Sequence, residues 1–386
     1  MMIKTLFIMS VLLVFHAMVG YPLSLRIISR FTKSKSPRRD LDRKPTVSVI
    51  IPAHNEEKVI RTKLENLISL SYPKELMEII IASDNSTDCT NAIVRSFARE
   101  HPDYDIKLYV VQERKGKTNA QNEVVKIASG DILVFSDANA LLHEDAIRHL
   151  VSSFTEDDII YVTGRLVYVN EFASLASEAE STYWDYELFM RKVESDVQTI
   201  TAGNGAIYAI KREEYVDFDP IMCHDSAMPM YAALHRKRAL FNEDAVAYEK
   251  AGTTSEDEFK RKVRMFRLGL RPLFQDMRKY NPFLTGWYSY FYFSHRACRG
   301  ALFVLHMTAL LTNVMLCNES SFFFVTLLGQ LGFYTLALLR LVFGFRARLF
   351  YYPYYYCMTL VAQLIGTYNH VTGKSKPFWE KAESTR

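Results

Sequence analysis

Long apolar blocks at both ends of the chain limit what it can fold into, because such segments must be buried in lipid or in protein. Thr5 to Leu25 is nearly uncharged, with Leu6-Phe7-Ile8 and Val11-Leu12-Leu13-Val14-Phe15 at its centre. Three more blocks follow: Ala301–Cys317, Phe322–Phe343 and Leu349–Thr367, parted by Asn318-Glu319-Ser320 and by Arg346-Ala347-Arg348. About 20 apolar residues span a hydrocarbon core of roughly 30 Å. For the first block a cleaved leader is the competing reading. No small-x-small cleavage site stands out, however, and Arg26, Arg30, Lys33, Lys35, Arg38, Arg39, Arg43 and Lys44 follow closely. Such a cluster resists translocation, so we expect a retained anchor with the main domain in the cytoplasm. At the other end the charges conflict. The Arg346/Arg348 turn reads as cytoplasmic, and so does the tail with Lys374, Lys376, Lys381 and Arg386, yet three spans would place that tail outside. The tyrosine-rich run 351–356 suits an interface, and two or three C-terminal spans remain open. Trp287–Phe293 reads either as an aromatic belt or as core packing.

The expected organisation is therefore an anchor at 1–26, a basic linker at 27–44 and a cytoplasmic domain at 45–280. An aromatic interfacial segment at 281–298, a membrane region at 299–370 and a basic tail at 371–386 complete it. Net charge is only +4 and no basic stripe interleaves with aromatics, which excludes a nucleic-acid groove. Cys89, Cys223, Cys298, Cys317 and Cys357 have no CxxC or CxxC…HxxH spacing, so neither a disulfide frame nor a zinc site is expected.

Between 45 and 280 short aliphatic runs alternate with amphipathic stretches. Val47–Ile51, Glu78–Ala82, Lys107–Val111 and Asp131–Phe135 read as strands. Between them lie a helix with Ile60, Leu64, Leu67 and Ile68 on one face, a second through Asn91–Ala98 and a third from Lys117 to Ala128; a fourth follows through Glu144–Phe154. This pattern predicts an α/β fold: a doubly wound, mostly parallel sheet with ligands at the carboxyl ends of its strands. Pro52-Ala53-His54-Asn55-Glu56, Asp84, Asp88 and Asp137-Ala138-Asn139 all fall at such ends. Oxygen ligands there suit a divalent cation, Mg or Mn, carrying a diphosphate. No GxGxxG or GxxxxGK[ST] loop follows a strand, which argues against a nicotinamide dehydrogenase or a P-loop NTPase.

In series these motifs resemble glycosyltransferase family 2, in the membrane-integrated branch of cellulose, hyaluronan and poly-N-acetylglucosamine synthases. The matching pieces are Val47–Glu57, Ser83–Asp88, Arg114-Lys115-Gly116-Lys117, Ser136–Asn139, Gly203-Asn204-Gly205-Ala206-Ile207-Tyr208, His224-Asp225 and Arg261–Met265. The resemblance implies a GT-A-type sheet flanked by transmembrane helices, and inverting transfer of a sugar from a nucleotide-sugar donor of the UDP type. It implies a carbohydrate or lipid-linked acceptor, the bacterial inner membrane and a link to export-complex subunits.

By the same resemblance Asp137 is the metal ligand, and Asn139 stands where the family's second aspartate would be. An amide oxygen still coordinates a hard ion but brings no charge. Pro52, Ala53 and Glu56 would form the base pocket with Asp84 and Asp88, although Asp88 reads equally as an Asx turn starting a helix. Arg114 and Lys117 would face the diphosphate. Asp225 is the expected general base, with His224 in place of the family's first acid. Arg261 and Arg264 share one helical face and would grip the diphosphate, with Met265 where processive enzymes carry Trp. Gly203, Asn204 and Gly205 allow close approach to a sugar or simply make a tight turn. Tyr183-Trp184 would stack an acceptor ring or pack internally. One further reading is a silent nucleotide-binding scaffold subunit, kept alive by Asn139, His224 and Met265.

Overall fold

The computed structural model describes residues 1–169, 175–250, 255–345 and 347–378, and within them all side chains but those of 175–183 and 255. Arg346, Lys381, Arg386 and the Tyr183 side chain, on which part of the sequence reading rests, lie outside the described residues.

The strands are β1 (Val47–Ala53), β2 (Met77–Ser83), β3 (Asp105–Val110), β4 (Ile132–Phe135), β5 (Leu141–Leu142), β6 (Ile159–Tyr168), β7 (Tyr208–Lys211) and β8 (Arg238–Glu249). They form one sheet in the order β3-β2-β1-β4-β7-β6-β8-β5. β3, β2, β1 and β4 run parallel, as β6 and β8 do, whereas β7 lies antiparallel between β4 and β6. The expected mostly parallel α/β sheet is thus present, with a mixed second half. β1 and β2 are aliphatic at their centres, Val49-Ile50-Ile51 and Ile79-Ile80-Ile81, because both faces are covered there. Val49, Ile51, Ile79 and Ile81 pack with Leu64, Leu67, Val94 and Phe97 on one side. Ile50, Ile80, Leu133 and Phe135 pack with Ala120, Val124 and Met228 on the other.

Among the described residues two helices, Met2–Phe31 and Ser321–Phe343, are long and apolar enough to cross a membrane. A third candidate exists if Trp287–Gly300 and Leu302–Leu316, bent by 62°, count as one span. The last apolar block forms the helix Arg348–Val371, which is not among these candidates. Gln363, Asn369 and His370 dilute its apolar character, and its far end is pressed against Phe266. A methyl on Gly366 would stand 2.6 Å from the Phe266 carbonyl oxygen, so only glycine allows that approach.

Buried ion pairs tie the helices to the domain. Glu194 accepts hydrogen bonds from Tyr21 Oη (2.6 Å) and from Thr201 N (3.0 Å), and His295 bridges Glu194 and Glu187 at 2.5 and 3.0 Å. Arg299 pairs with Glu187 as well. Burial works against the charge on both carboxylates, but Arg299 and His295 hold Glu187 well below the usual range and His295 does the same for Glu194. Paired charges of this kind set a geometry more than they add stability.

Candidate active site

The cleft lies at the carboxyl ends of β2, β1 and β4, where successive parallel strands leave a crevice. On its β1–β2 side two loops are laced together. Asn55 Oδ1 accepts from Thr87 N (2.8 Å), and Glu57 N donates to Asp88 Oδ2 (3.1 Å). His54 Nδ1 meets the Asp84 carbonyl oxygen at 2.7 Å. Asn55 and Asn85 adopt φ of 54° and 53°, a left-handed conformation that asparagine tolerates better than most residues.

Asp84 is 4% exposed, and its two oxygens accept from Lys115 N (3.0 Å) and Gly116 N (2.9 Å). Its carboxylate therefore shapes the loop that presents Arg114 and Lys117. Asp88 accepts from Thr90 N (2.9 Å) at the start of the helix Thr90–Glu100, the Asx-type role that the sequence left open. Pro52 and Ala53 end β1, and Glu56 is buried beside Thr90, whose Oγ1 accepts from its backbone N at 2.7 Å.

At the centre, Lys117 Nζ donates to Asp137 Oδ1 at 2.5 Å. Asp137 caps no helix, since the next one begins at Ala146. A methyl on Gly205 would stand 2.8 Å from Lys117 Nζ, 3.2 Å from Asp137 Oδ2 and 3.8 Å from Asp225 Oδ2. Residues 88 positions apart in sequence thus border one space, and the missing Cβ keeps it open. Burial opposes the Lys117 charge, but Asp137 and Asp225 outweigh it and raise its pKa. Arg264 joins the group: burial and Arg261 push its pKa down while Asp137 opposes them. Gly203 N donates to the Asp225 carbonyl oxygen (2.7 Å) and fixes the start of the helix His224–Leu234.

Other expected residues are engaged elsewhere. Arg261 donates from Nε and Nη2 to both Glu258 oxygens (2.7 and 2.9 Å), so it is turned along its own helix. Asn204 bonds the backbone around Gly164 and Ala206. Asn139 Nδ2 donates to Glu249 Oε1 at 2.6 Å. Trp184 Nε1 donates to the Leu166 carbonyl oxygen (2.9 Å), which favours packing over an open platform.

Three features went unread in the sequence. Lys63 is fully buried under the Asp137 turn, donating to Ser136 Oγ (2.8 Å) and the Ala140 carbonyl oxygen (2.5 Å). Burial pushes its pKa down to about 7 against the pull of Asp137 and Glu249. Its position between Ile60, Leu64 and Leu67 on the apolar face was the available signal. Arg267 donates to the Met222 carbonyl oxygen (3.2 Å) and to Cys223 Sγ (3.0 Å), beside Asp225. Third, the segment 375–378 returns from the last helix to the cleft. Phe378 lies 4.5 Å from the Arg114 guanidinium, and Arg267 Nη1 donates to the Pro377 carbonyl oxygen at 3.3 Å. Gly116, at φ +96°, leaves room for Pro377, whose oxygen would be 2.6 Å from a Cβ there.

His224 is 1% exposed, between Tyr215 (4.8 Å between ring centres) and Phe135 (6.3 Å). It anchors the helix from inside so that the next residue, Asp225, faces the cleft. Burial drives its pKa down to about 4. Between about 6.5 and that value the unfolded chain binds a proton that the folded chain refuses. Stability is therefore lost as pH falls from 6.5 to 4, by about 3 kcal/mol over the whole window. His224→Phe should flatten the fall in thermal midpoint between pH 7 and 4.5; an unchanged fall would assign it to other groups.

Among the described residues no cluster of three His, Cys, Asp or Glu side chains could hold a metal alone. Asp137 and Asn139 offer a carboxylate and an amide oxygen, a hard-donor set that suits Mg or Mn when a diphosphate and water supply the remaining ligands.

Residues 48–213 match the family profile described as Glycosyl transferase family 2. The chain is 38% identical over 125 residues to "Probable glycosyltransferase YdaM" of Bacillus subtilis (strain 168), covering 31% of this chain and 29% of that protein. It is 24% identical over 253 residues to "Poly-beta-1,6-N-acetyl-D-glucosamine synthase" of Staphylococcus aureus (strain COL), covering 64% of this chain and 60% of that one. The matches thus span less than two thirds of either relative. The fold is similar to that of "Mannosyltransferase PcManGT from Pyrobaculum calidifontis in complex with GDP-Man and Mn2+", with TM-score 0.72 and 22% identity over 96% of this chain and 99% of that one.

Proposed function

We propose that this family 2 glycosyltransferase transfers a sugar, with inversion, from a UDP-type nucleotide-sugar to a hydroxyl of a growing cell-surface polysaccharide. The reaction takes place at the cytoplasmic face of the bacterial inner membrane. The observation that carries this reading is the single space bordered by Lys117, Asp137, Gly205 and Asp225. The name of the Staphylococcus aureus relative, a poly-N-acetylglucosamine synthase, supports a glycan acceptor.

Asp225 Oδ takes the proton from the acceptor hydroxyl as its oxygen bonds to the sugar's anomeric carbon. The bond from that carbon to the diphosphate oxygen breaks in the same displacement, and the electron pair leaves with the nucleoside diphosphate. One base and one displacement give inversion. Lys117 and Arg264 hold the diphosphate, and their charges offset the one that develops on it. A divalent cation held by Asp137 and Asn139 would supply further charge neutralisation at the phosphates.

The test offers full-length protein in lipid nanodiscs a panel of UDP- and GDP-sugars with Mn²⁺ or Mg²⁺. We expect nucleotide release from a UDP-sugar, abolished by a chelator, with products forming a ladder. Turnover of GDP-sugars alone would refute the donor, and turnover in the chelator would refute the cation. Met265 is 62% exposed where processive enzymes carry an aromatic platform, which favours a second reading: one sugar added to a lipid-linked acceptor. A single-addition product establishes that reading over the first.

A further inference from the structure

We propose that Glu249 is a positioning residue that turns the Asn139 amide so that its oxygen faces the cation, and that it supplies the negative charge missing from this motif. The inference rests on the metal-assisted reading above and deepens it. The pairing Leu141↔Tyr248 between β5 and β8 places Glu249, the last residue of β8, alongside Asn139-Ala140. From the other side the Glu249 carbonyl oxygen accepts from Val169 N at 2.9 Å, so its backbone is held on both edges. A carboxylate only accepts hydrogen bonds, whereas an amide has one donating and one accepting end. The 2.6 Å contact from Asn139 Nδ2 to Glu249 Oε1 therefore decides which way the amide points. Among the described residues Asn139 Oδ1 accepts no hydrogen bond, which leaves it available to a hard ion. The carboxylate behind the amide also draws electron density toward Oδ1, as outer-shell carboxylates do for other metal ligands. Asp137 and Glu249 together thus carry the two charges that a pair of aspartates would carry. Lys63, buried beneath the turn, is attracted to both.

The experiment is Mn²⁺ titration of full-length protein in nanodiscs with saturating UDP, following free Mn²⁺ by electron paramagnetic resonance. Glu249→Gln removes the charge and lets the amide bond either way round; we expect Mn²⁺ affinity to fall about 10- to 100-fold, with metal-free UDP binding unchanged. Asn139→Asp alone, although it recreates the family's two aspartates, sets one carboxylate against another and should not tighten Mn²⁺ binding. Combining Asn139→Asp with Glu249→Gln should return affinity to within about threefold of the wild type, since a carboxylate is then once more paired with an amide. Should Glu249→Gln not fold, Asn139→Asp carries the test by itself. Equal Mn²⁺ affinity in Glu249→Gln, or tighter binding in Asn139→Asp alone, overturns the inference and leaves the proposed function standing. A wild type that binds no Mn²⁺ with UDP overturns both.

Discussion

Asp225→Asn protein should release nucleotide from its sugar donor about 10³-fold more slowly than the wild type, with donor affinity unchanged. Asparagine has the same size and keeps the Gly203 N to Asp225 carbonyl bond, because that bond uses the backbone. What it lacks is a site for the acceptor's proton. The loss should appear in kcat and leave the donor KM alone, since the proposed diphosphate contacts are Lys117 and Arg264. Isothermal titration with UDP provides the control. Wild-type turnover in Asp225→Asn would remove the general base from the mechanism, and lost UDP binding would place Asp225 in the donor site instead.

Asp137→Ala should abolish the response to Mn²⁺ and slow turnover by a similar factor, about 10³-fold, because a cation at the phosphates supplies several kcal/mol of charge stabilisation. The variant also takes from Lys117 its 2.5 Å partner. Donor affinity should fall with it, unlike in Asp225→Asn, and this contrast separates the two roles. Turnover that keeps its Mn²⁺ response would show that the cation is held elsewhere. The double variant should be barely slower than either single one if both act on the same displacement.

The first half of the sheet was legible because β1, β2 and β4 carry aliphatic runs with both faces buried, the pattern of a covered parallel sheet. The second half, β5 to β8, was not: β5 has only two residues, β7 runs straight into Lys211, and polar residues interrupt the long strands, Thr163-Gly164-Arg165 in β6 and Asn242-Glu243-Asp244 in β8. Such runs show neither a continuous aliphatic stretch nor a clean period of two, and their pairing is set by distant strands. The candidate site divides in the same way. Asp137 and Asp225 were legible from motif order, and the structure sets both on one opening. Arg261 shares a helical face with Arg264 by spacing, yet Glu258, three residues before it, takes its guanidinium. Lys63 was hidden by its own chemistry. Lysine at an apolar position reads as a surface residue, and only the acceptors of a turn more than seventy residues away explain its burial.

Local pattern alone pointed to β1, β2, β3 and β4, to the apolar first block and Phe322–Phe343, and to the acids that stand at strand ends, because these follow from the side-chain period and from the chemistry of neighbouring residues. Partnership was decided by the folded chain. Glu249 meets Asn139 only through the β5–β8 pairing, and Pro377 reaches Gly116 only because the last helix turns back toward the cleft. Hydrogen bonds and ion pairs act over about 3 Å, and no regularity along the sequence records which distant residues are brought that close.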